Sequence, residues 1–257
     1  MEFLIIPLLA FCAAILTFFS GFGLGTILTP VFMVFFPVHE AIALTGVVHF
    51  FNNIFKVLLV GKHVDKEVLL RFGIPAVISA FIGSWILVNL IDNTPLFSYV
   101  LFNKSFDVFT FKLVVATLLI VFALLDLLPY FKKIKFEKNK LPLGGVASGF
   151  FGGLTGNQGA LRSAFLIKTG LSKEAFIGTT VVISTFVDFT RLGVYASGYL
   201  SSGLGQNTGL VSLSVLAGIA GSFIGNKLLK KVTFDFVQMF VALMLVLLAF
   251  SLGAGWL

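Results

Sequence analysis

The sequence predicts an all-α, polytopic membrane protein built from two repeats of helices, and three observations lead to this fold class. The 257 residues are 58% hydrophobic and only 11% charged, with a mean hydropathy of +1.07. A soluble domain carries far more polar surface than this. The apolar stretches are long enough to cross a bilayer. Glycine-rich motifs also recur at a nearly constant offset, which indicates an internal repeat.

The repeat is visible in two pairs of residues. Glu40 and Glu174 lie 134 positions apart, and so do Gly25 and Gly159. We therefore predict one transmembrane domain over 1–257. Its predicted parts are repeat one at about 1–131, repeat two at about 141–257, and a basic loop at 132–140 that joins them.

Each repeat is predicted to open with a glycine-broken helical hairpin. The predicted helical segments are 3–19, 22–37, 41–60, 70–91, 110–130, 141–155, 159–170, 175–196, 207–226 and 235–256. As one helix, residues 3–37 would reach about 50 Å at 1.5 Å per residue. That length exceeds a hydrocarbon core of about 30 Å, so we predict a break and a reversal. The expected total is about eight full spans plus half-helices.

Loop charge predicts the orientation. The basic loop 132–140 and the short basic loops that contain Lys62 and Lys227 are expected in the cytoplasm, in a cytoplasmic (cell) membrane. The second hairpin then enters and leaves on one face, with its tip inside the membrane. If the first pair is also a hairpin, both termini lie outside and the repeats are inverted. The alternative is eight continuous spans with parallel halves. The N-terminus lacks a basic region and a cleavage site, so no cleaved signal peptide is expected.

The two breaks are candidate substrate-binding elements. Irregular backbone at membrane depth must be buried or line a cavity. The helices that start after the breaks point free N–H groups at the centre, which suits an anion. The candidate binding residues are Ser20, Gly21, Gly23, Gly25, Thr26, Thr155, Gly156, Asn157, Gln158, Gly159 and Arg162. The other interpretation of the glycines is close helix packing, which we prefer for Gly221 and Gly225.

Arg162 is the strongest single candidate for a substrate-binding residue. It lies about one turn past the second break, so its guanidinium is expected deep in the membrane. A charge there is costly and marks a functional residue by default. Such a guanidinium can bind an oxyanion in bidentate fashion. The alternatives are a structural ion pair and a side chain that reaches the interface.

The span after each hairpin carries a stripe of polar residues at spacings of four, four and three. The stripes, at an offset of 135, are Thr45, His49, Asn53 and Lys56, and Thr180, Ser184, Asp188 and Arg191. Each stripe lies on one helical face. We expect them to line the substrate pathway or to couple ions, with protons and sodium both open. The structural alternatives are a snorkelling Lys56, a neutral Asp188–Arg191 pair and a packed His49.

Other classes of function are disfavoured. His39 and Glu40 lack the second histidine of a zinc HExxH site, and neither a GxSxG elbow nor a Walker A motif occurs in the sequence. No enzyme, metal or cofactor is therefore expected. The net charge of +7 resides mainly in short loops, which does not indicate nucleic-acid binding. The single cysteine, Cys12, excludes an intrachain disulfide.

The sequence resembles the sulfite exporter TauE/SafE family, or TSUP permeases. The resemblance rests on SGFGLGTILTP and HEAIALTG in the first half, and on GGVASGFFGGLTGNQGALRSAFLI and KEAFIGTT in the second. It implies a permease for sulfur-containing anions such as sulfite or sulfonates. The expected function is a secondary transporter that moves a small anion by alternating access at a midplane site, with the lipid bilayer and that anion as partners. The alternatives are an anion channel and a permease for an unrelated organic anion.

Overall fold

The described residues form a bundle that combines helices long enough to cross a membrane with shorter helices. The computed structural model describes residues 1–18, 24–89, 94–127, 137–166, 169–196, 200–228 and 234–256. The helices of the first half are α1 (Glu2–Thr17), α2 (Gly25–Phe35), α3 (Val38–Val60), α4 (Lys66–Val68), α5 (Ile74–Asn89) and α6 (Thr110–Leu127). A π-helical turn, Leu69–Gly73, connects α4 to α5.

The described residues of the second half are also mostly helical. Its helices are α7 (Leu141–Thr155), α8 (Gly159–Leu166), α9 (Lys173–Ala196), α10 (Leu200–Leu228) and α11 (Phe234–Gly253). The segment starts and ends agree with the predicted ones to within a few residues, with one larger difference. The described part of helix α8 ends at Leu166, and residues 167 and 168 lie outside the described residues. Helix α10 begins at Leu200 rather than 207, and Asn207 (φ −112°, ψ 17°) kinks it at the predicted start.

Several of these helices can cross a bilayer. Within the described ranges, four are long and apolar enough, and they are Val38–His63, Lys66–Asn89, Lys173–Ala196 and Gly205–Lys227. Shorter apolar helices include Glu2–Thr17 and Gly25–Phe35. Large apolar side chains such as Leu58, Phe189 and Phe250 are exposed on the bundle surface, where lipid would cover them. The chain is a multi-pass, helical membrane protein.

The second broken pair is a hairpin, as predicted. A Cβ placed on Gly144, near the start of α7, would lie 2.4 Å from the ring of Phe165, near the end of α8. At the other end of the pair, a Cβ on Gly152 would lie 2.8 Å from Cβ of Gln158. The chain therefore runs along α7, turns at 156–158 and runs back along α8 beside it. The connection between α1 and α2, residues 19–23, lies outside the described residues.

Helices from the two halves interlock through glycines. Helix α1 packs on α10, and α7 packs on α5. A Cβ on Gly149 would lie 2.0 Å from the carbonyl oxygen of Ala76, and one on Gly221 would lie 2.3 Å from that of Phe11. Glycine is required at both positions because the facing backbone occupies the space of a side chain. The packing interpretation of Gly221 and Gly225 is thus confirmed, and it also holds for Gly149.

A β-hairpin that we did not predict follows α5. Strands β1 (Phe97–Leu101) and β2 (Lys104–Val108) pair antiparallel, with Tyr99 opposite Phe106. The all-α prediction is therefore correct for the bundle and incomplete for this connection. The alternating aromatic and β-branched residues of LFSYVLFNKSFDV favour strands. The turn lacks the Asn-Gly or Asp-Gly pair that makes hairpins easy to recognise.

Candidate functional site

The second break reaches the start of α2 in the centre of the bundle. A Cβ on Gly25, the first residue of α2, would lie 3.4 Å from the carbonyl oxygen of Gly156 and 3.7 Å from Cδ2 of His49. Gly156 adopts a left-handed conformation (φ +80°), which lets the chain reverse between α7 and α8. The hairpin tip thus lies against the start of α2, close to His49 of α3.

The two polar stripes face each other across this contact. Helices α3 and α9 pack antiparallel, because Gly46 near the start of α3 lies against Arg191, and Val60 at the end of α3 lies against Gly178. Asn53 Nδ2 donates to Asp188 Oδ2 at 2.9 Å, and His49 Nδ1 lies 2.6 Å from the same oxygen. Stripe residues from both helices therefore meet at one carboxylate.

Gln158 links this carboxylate to Arg162. Its Nε2 donates to Asp188 Oδ1 at 3.2 Å, and its Oε1 accepts from Arg162 Nη1 at 3.0 Å. The hydroxyl of Ser148 donates to the carbonyl of Gln158 at 2.9 Å, which fixes the turn against α7. The amide at the hairpin tip thus joins an anion and a cation through its two ends.

Arg191 pairs with Asp188 on the same helix. Its Nε and Nη2 both lie 2.9 Å from Oδ1, and both side chains are fully buried. The guanidinium is also close to the hairpin tip, because a Cβ on Gly156 would lie 3.0 Å from Nη1. Tyr195, one turn later, donates its hydroxyl to the carbonyl oxygen of Gly153. The predicted neutral pair is present, and it sits beside the break.

Lys56 is a buried cation without a counter-ion in the described part of the chain. Only 3% of it is exposed, so it does not snorkel to the surface. Its ammonium lies 5.3 Å from the centroid of the Phe18 ring, next to the first break. Arg162 is close enough for the two charges to repel each other. A cation–π contact offsets part of the cost of burying an ammonium, and the rest is unbalanced.

We call the group formed by His49, Lys56, Arg162, Asp188 and Arg191 the central cluster. With a neutral histidine its formal charge is +2, from three cations and one carboxylate (3 − 1). Every member is at least 97% buried. Removing an ion from water costs several kcal/mol even after relaxation. The excess of buried positive charge therefore favours the entry of an anion.

Neutral polar groups close to the cluster have unused hydrogen-bonding capacity. Both side-chain atoms of Asn157 at the hairpin tip are buried without a partner in the described structure, as are the hydroxyls of Thr29 and Thr45. Thr29 lies beside the tip, because a Cβ on Gly156 would be 3.4 Å from its Oγ1. Buried polar groups normally have partners, so these atoms are available to a ligand.

The remaining predicted site residues divide into three groups. Thr180 and Thr155 donate to carbonyls of their own helices, at 2.8 Å to Phe176 and 3.0 Å to Phe151. Buried side chains are found at Thr26 and Ser184, and Gly159 is the first residue of α8. The predictions for Ser20, Gly21 and Gly23 lie outside the described residues.

Besides Ser148, two residues of this region were not predicted from the sequence, Thr29 and Tyr195. Thr29 lies three residues after the predicted Thr26, and Tyr195 lies four residues after Arg191. Both follow helical spacing from residues that were singled out, which is the signal that would have found them. Within the described ranges, no group of three or more His, Cys, Asp or Glu side chains is placed to hold a metal ion.

Comparison with known proteins identifies the family. The model of the family described as "Sulfite exporter TauE/SafE" matches residues 6–252, nearly the whole chain. The chain belongs to the sulfite exporter TauE/SafE family. The resemblance seen in the sequence motifs is thereby confirmed. Members of the TauE/SafE family are membrane transporters rather than enzymes, so this protein is a transporter that acts in a lipid bilayer on a small anion. The chain has no match among curated proteins or among solved structures.

Proposed function

We propose that this TauE/SafE protein is a secondary transporter that moves a small sulfur oxyanion, such as sulfite or a sulfonate, through the cytoplasmic membrane. The observation that carries the proposal is the central cluster. It joins Arg191 to the carboxylate of Asp188 directly and Arg162 to it through Gln158, with Lys56 near Arg162, at the meeting point of α2, α3, α9 and the hairpin tip. An oxyanion of charge −2 would balance the formal charge of this group.

The cations are arranged on two sides of Asp188. Arg191 lies level with Gly46, toward the start of α3, and Lys56 lies toward the end of α3 next to Arg162. Asp188, held by His49 and Asn53, is between them. We infer that an anion passes from one cationic side to the other, and that Asp188 serves as the internal counter-ion while the site is empty.

Alternating access around this point requires two halves that can rock against each other. The interlocked pairs α1–α10 and α5–α7 combine one helix from each half, which is the cross-packing expected of two related repeats. Together with the matched stripes, this supports the inverted repeat over about 1–131 and 141–257.

In the orientation that we propose, the basic loops are cytoplasmic and both termini lie outside. The buried His49–Asp188 contact is where a coupling proton would bind.

The test is sulfite flux into proteoliposomes that contain the purified protein, measured against empty liposomes. Saturable uptake that is accelerated by sulfite trapped inside supports a carrier for this oxyanion. An uptake rate that rises linearly with the external sulfite concentration and is unchanged by trapped sulfite supports a channel instead. If folded protein gives no sulfite flux but moves another organic anion, the permease class stands and the sulfur oxyanion is wrong.

A further inference from the structure

The β1–β2 hairpin is fixed to the end of the last helix. The hydroxyl of Tyr99 donates to the carbonyl oxygen of Ala254 at 2.7 Å and accepts from Trp256 Nε1 at 3.0 Å. A Cβ on Gly255 would lie 2.4 Å from the carbonyl oxygen of Asp107, so the two backbones are in direct contact. The position of the hairpin is therefore set by the position of this helix end.

The length of α11 predicts that this helix end lies at a boundary between lipid and water. Helix α11 has 20 residues, which at 1.5 Å per residue gives about 30 Å, the thickness of the hydrocarbon core. Helix α6 starts at Thr110, two residues after β2 ends, so the same boundary applies to it. Exposed Leu247 and Phe250 continue the lipid-facing surface of α11 up to the hairpin.

The hairpin exposes apolar side chains at this boundary. Phe102 at the apex is 92% exposed and Val100 is 72% exposed, whereas the stacked rings of Tyr99 and Phe106 cover the bundle side. Phe102 (φ 50°) and Asn103 (φ 61°) both adopt the left-handed conformation of a two-residue turn. Asparagine tolerates this conformation, but a bulky residue rarely occurs in it. The strained backbone makes this phenylalanine a candidate functional residue.

Basic side chains accompany the apolar apex. Lys104 follows the turn and is exposed, and Lys112 lies with its ammonium 4.9 Å from the centroid of the Phe109 ring. The carboxylate of Asp107 accepts from the hydroxyl of Ser98 at 2.6 Å. Aromatic rings with flanking lysines are the combination that favours the headgroup region, where lysines meet lipid phosphates.

We propose that the β1–β2 hairpin is an interfacial lipid anchor, in which Phe102 enters the boundary between headgroups and acyl chains and Lys104 binds a lipid phosphate. The occupant is lipid rather than a second copy, because the hairpin continues a lipid-facing surface at the depth where aromatic and basic residues favour the interface. Its unpaired strand edges need water, so the anchor stays in the headgroup region and out of the hydrocarbon. This inference is independent of the transported substrate.

The experiment places a nitroxide label beside the apex and measures its depth by paramagnetic relaxation with oxygen and with a water-soluble nickel chelate. Cys12 is the only cysteine, so Ser105→Cys in a Cys12→Ser protein gives one label that leaves both turn residues intact. The protein is reconstituted in vesicles of neutral and anionic phospholipid. Lys138→Cys, at an exposed loop site, supplies the water reference, and Leu247→Cys, on α11, supplies the lipid reference.

If the hairpin is an interfacial anchor, the label at 105 has oxygen and nickel accessibilities between those of the labels at 138 and 247. Adding Phe102→Glu should shift both values to those of the water reference. A label at 105 that equals the water reference without this substitution overturns the anchor. Exclusion of both reagents together with label-to-label broadening also overturns it, because a second copy would then cover the hairpin.

Discussion

Asn53 donates a hydrogen bond to Asp188 at 2.9 Å, and these residues are the third members of the two polar stripes, 135 positions apart. Equivalent residues of two repeats touch only next to the axis that relates the repeats. The bond therefore supports the proposed repeats, related by a pseudo-twofold axis that passes through the central cluster. In that proposal the substrate site lies at the interface between the repeats, where secondary transporters bind their substrates.

Asp188→Asn should destabilise the empty protein by about 3–5 kcal/mol, because removing one partner of a buried ion pair leaves Arg191 uncompensated. The measurement is thermal unfolding of the purified protein in an inert-anion buffer, and added sulfite should restore part of the loss by binding the freed cations. Glu67→Gln is the matched control, because Glu67 pairs with Arg71 at 3.4 Å on the surface, where a pair contributes about 0–1 kcal/mol. Equal effects of the two substitutions would contradict a structural role for the buried pair.

Lys56→Met should change stability and transport in opposite directions. Removing a buried ammonium that has no counter-ion among the described residues should raise the unfolding temperature, because its desolvation cost is several kcal/mol. Sulfite uptake should fall, because the cluster loses one of its cations. Lys227→Met is the control, since Lys227 also lies over a phenylalanine, 4.3 Å from the Phe223 centroid, but on the surface. A loss of stability in the Lys56→Met protein would show that the ammonium has a structural partner instead.

Gly156→Ala should impair both stability and transport. Its left-handed backbone (φ +80°) and the contact of 3.0 Å between the added Cβ and Arg191 Nη1 both oppose a side chain. The backbone strain alone costs about 1–2 kcal/mol. Unfolding temperature and uptake are measured on the same preparations.

Substitutions at two other glycines show how much of the effect at Gly156 comes from backbone strain and how much from the added side chain. Gly170 has the same φ of +80° but no atom within 4 Å of an added Cβ, so Gly170→Ala should lower stability and leave transport intact. Gly193 lies inside α9 with open space around it, and its replacement by alanine should stabilise the helix by about 0.5–1 kcal/mol. If Gly156→Ala behaves like Gly170→Ala, the tip does not position Arg191.

Gly149→Ala should destabilise the bundle more than Gly156→Ala does. The added Cβ would lie 2.0 Å from the carbonyl oxygen of Ala76, and backbone cannot move aside as a side chain can. Overpacking of this kind typically costs about 1–3 kcal/mol. The yield of folded, monodisperse protein by size-exclusion chromatography measures the effect, with Gly193→Ala as the control. A normal yield would contradict the close contact of α7 with α5.

The helices of this fold were largely predictable from the sequence, because long apolar stretches and glycine breaks determine them locally. The start of α2 at Gly25 and the helix at 159–166 follow from the breaks alone. The β1–β2 hairpin was not predicted, since its turn of Phe102 and Asn103 carries no strong turn signal.

The composition of the site was predictable and its connections were not. Spacing placed His49, Asn53 and Asp188 on helical faces, and depth singled out Arg162. Sequence could not show that the faces meet at one carboxylate or that Gln158 joins Asp188 to Arg162, because these contacts depend on how distant helices pack. Spacing from Thr26 would have pointed to Thr29, but its contact with the hairpin tip depends on the approach of Gly156.

The most direct test of the account compares sulfite uptake by two arginine variants in proteoliposomes with equal amounts of folded protein. Arg162 is 2% exposed in the central cluster, whereas the side chain of Arg71 is 53% exposed at the surface. A hydrogen bond to a charged group is worth about 1.5–3 kcal/mol, so Arg162→Ala should lower the uptake rate about tenfold or more. Arg71→Ala should transport like the unmodified protein. Normal sulfite uptake by correctly inserted Arg162→Ala protein would contradict the proposed site.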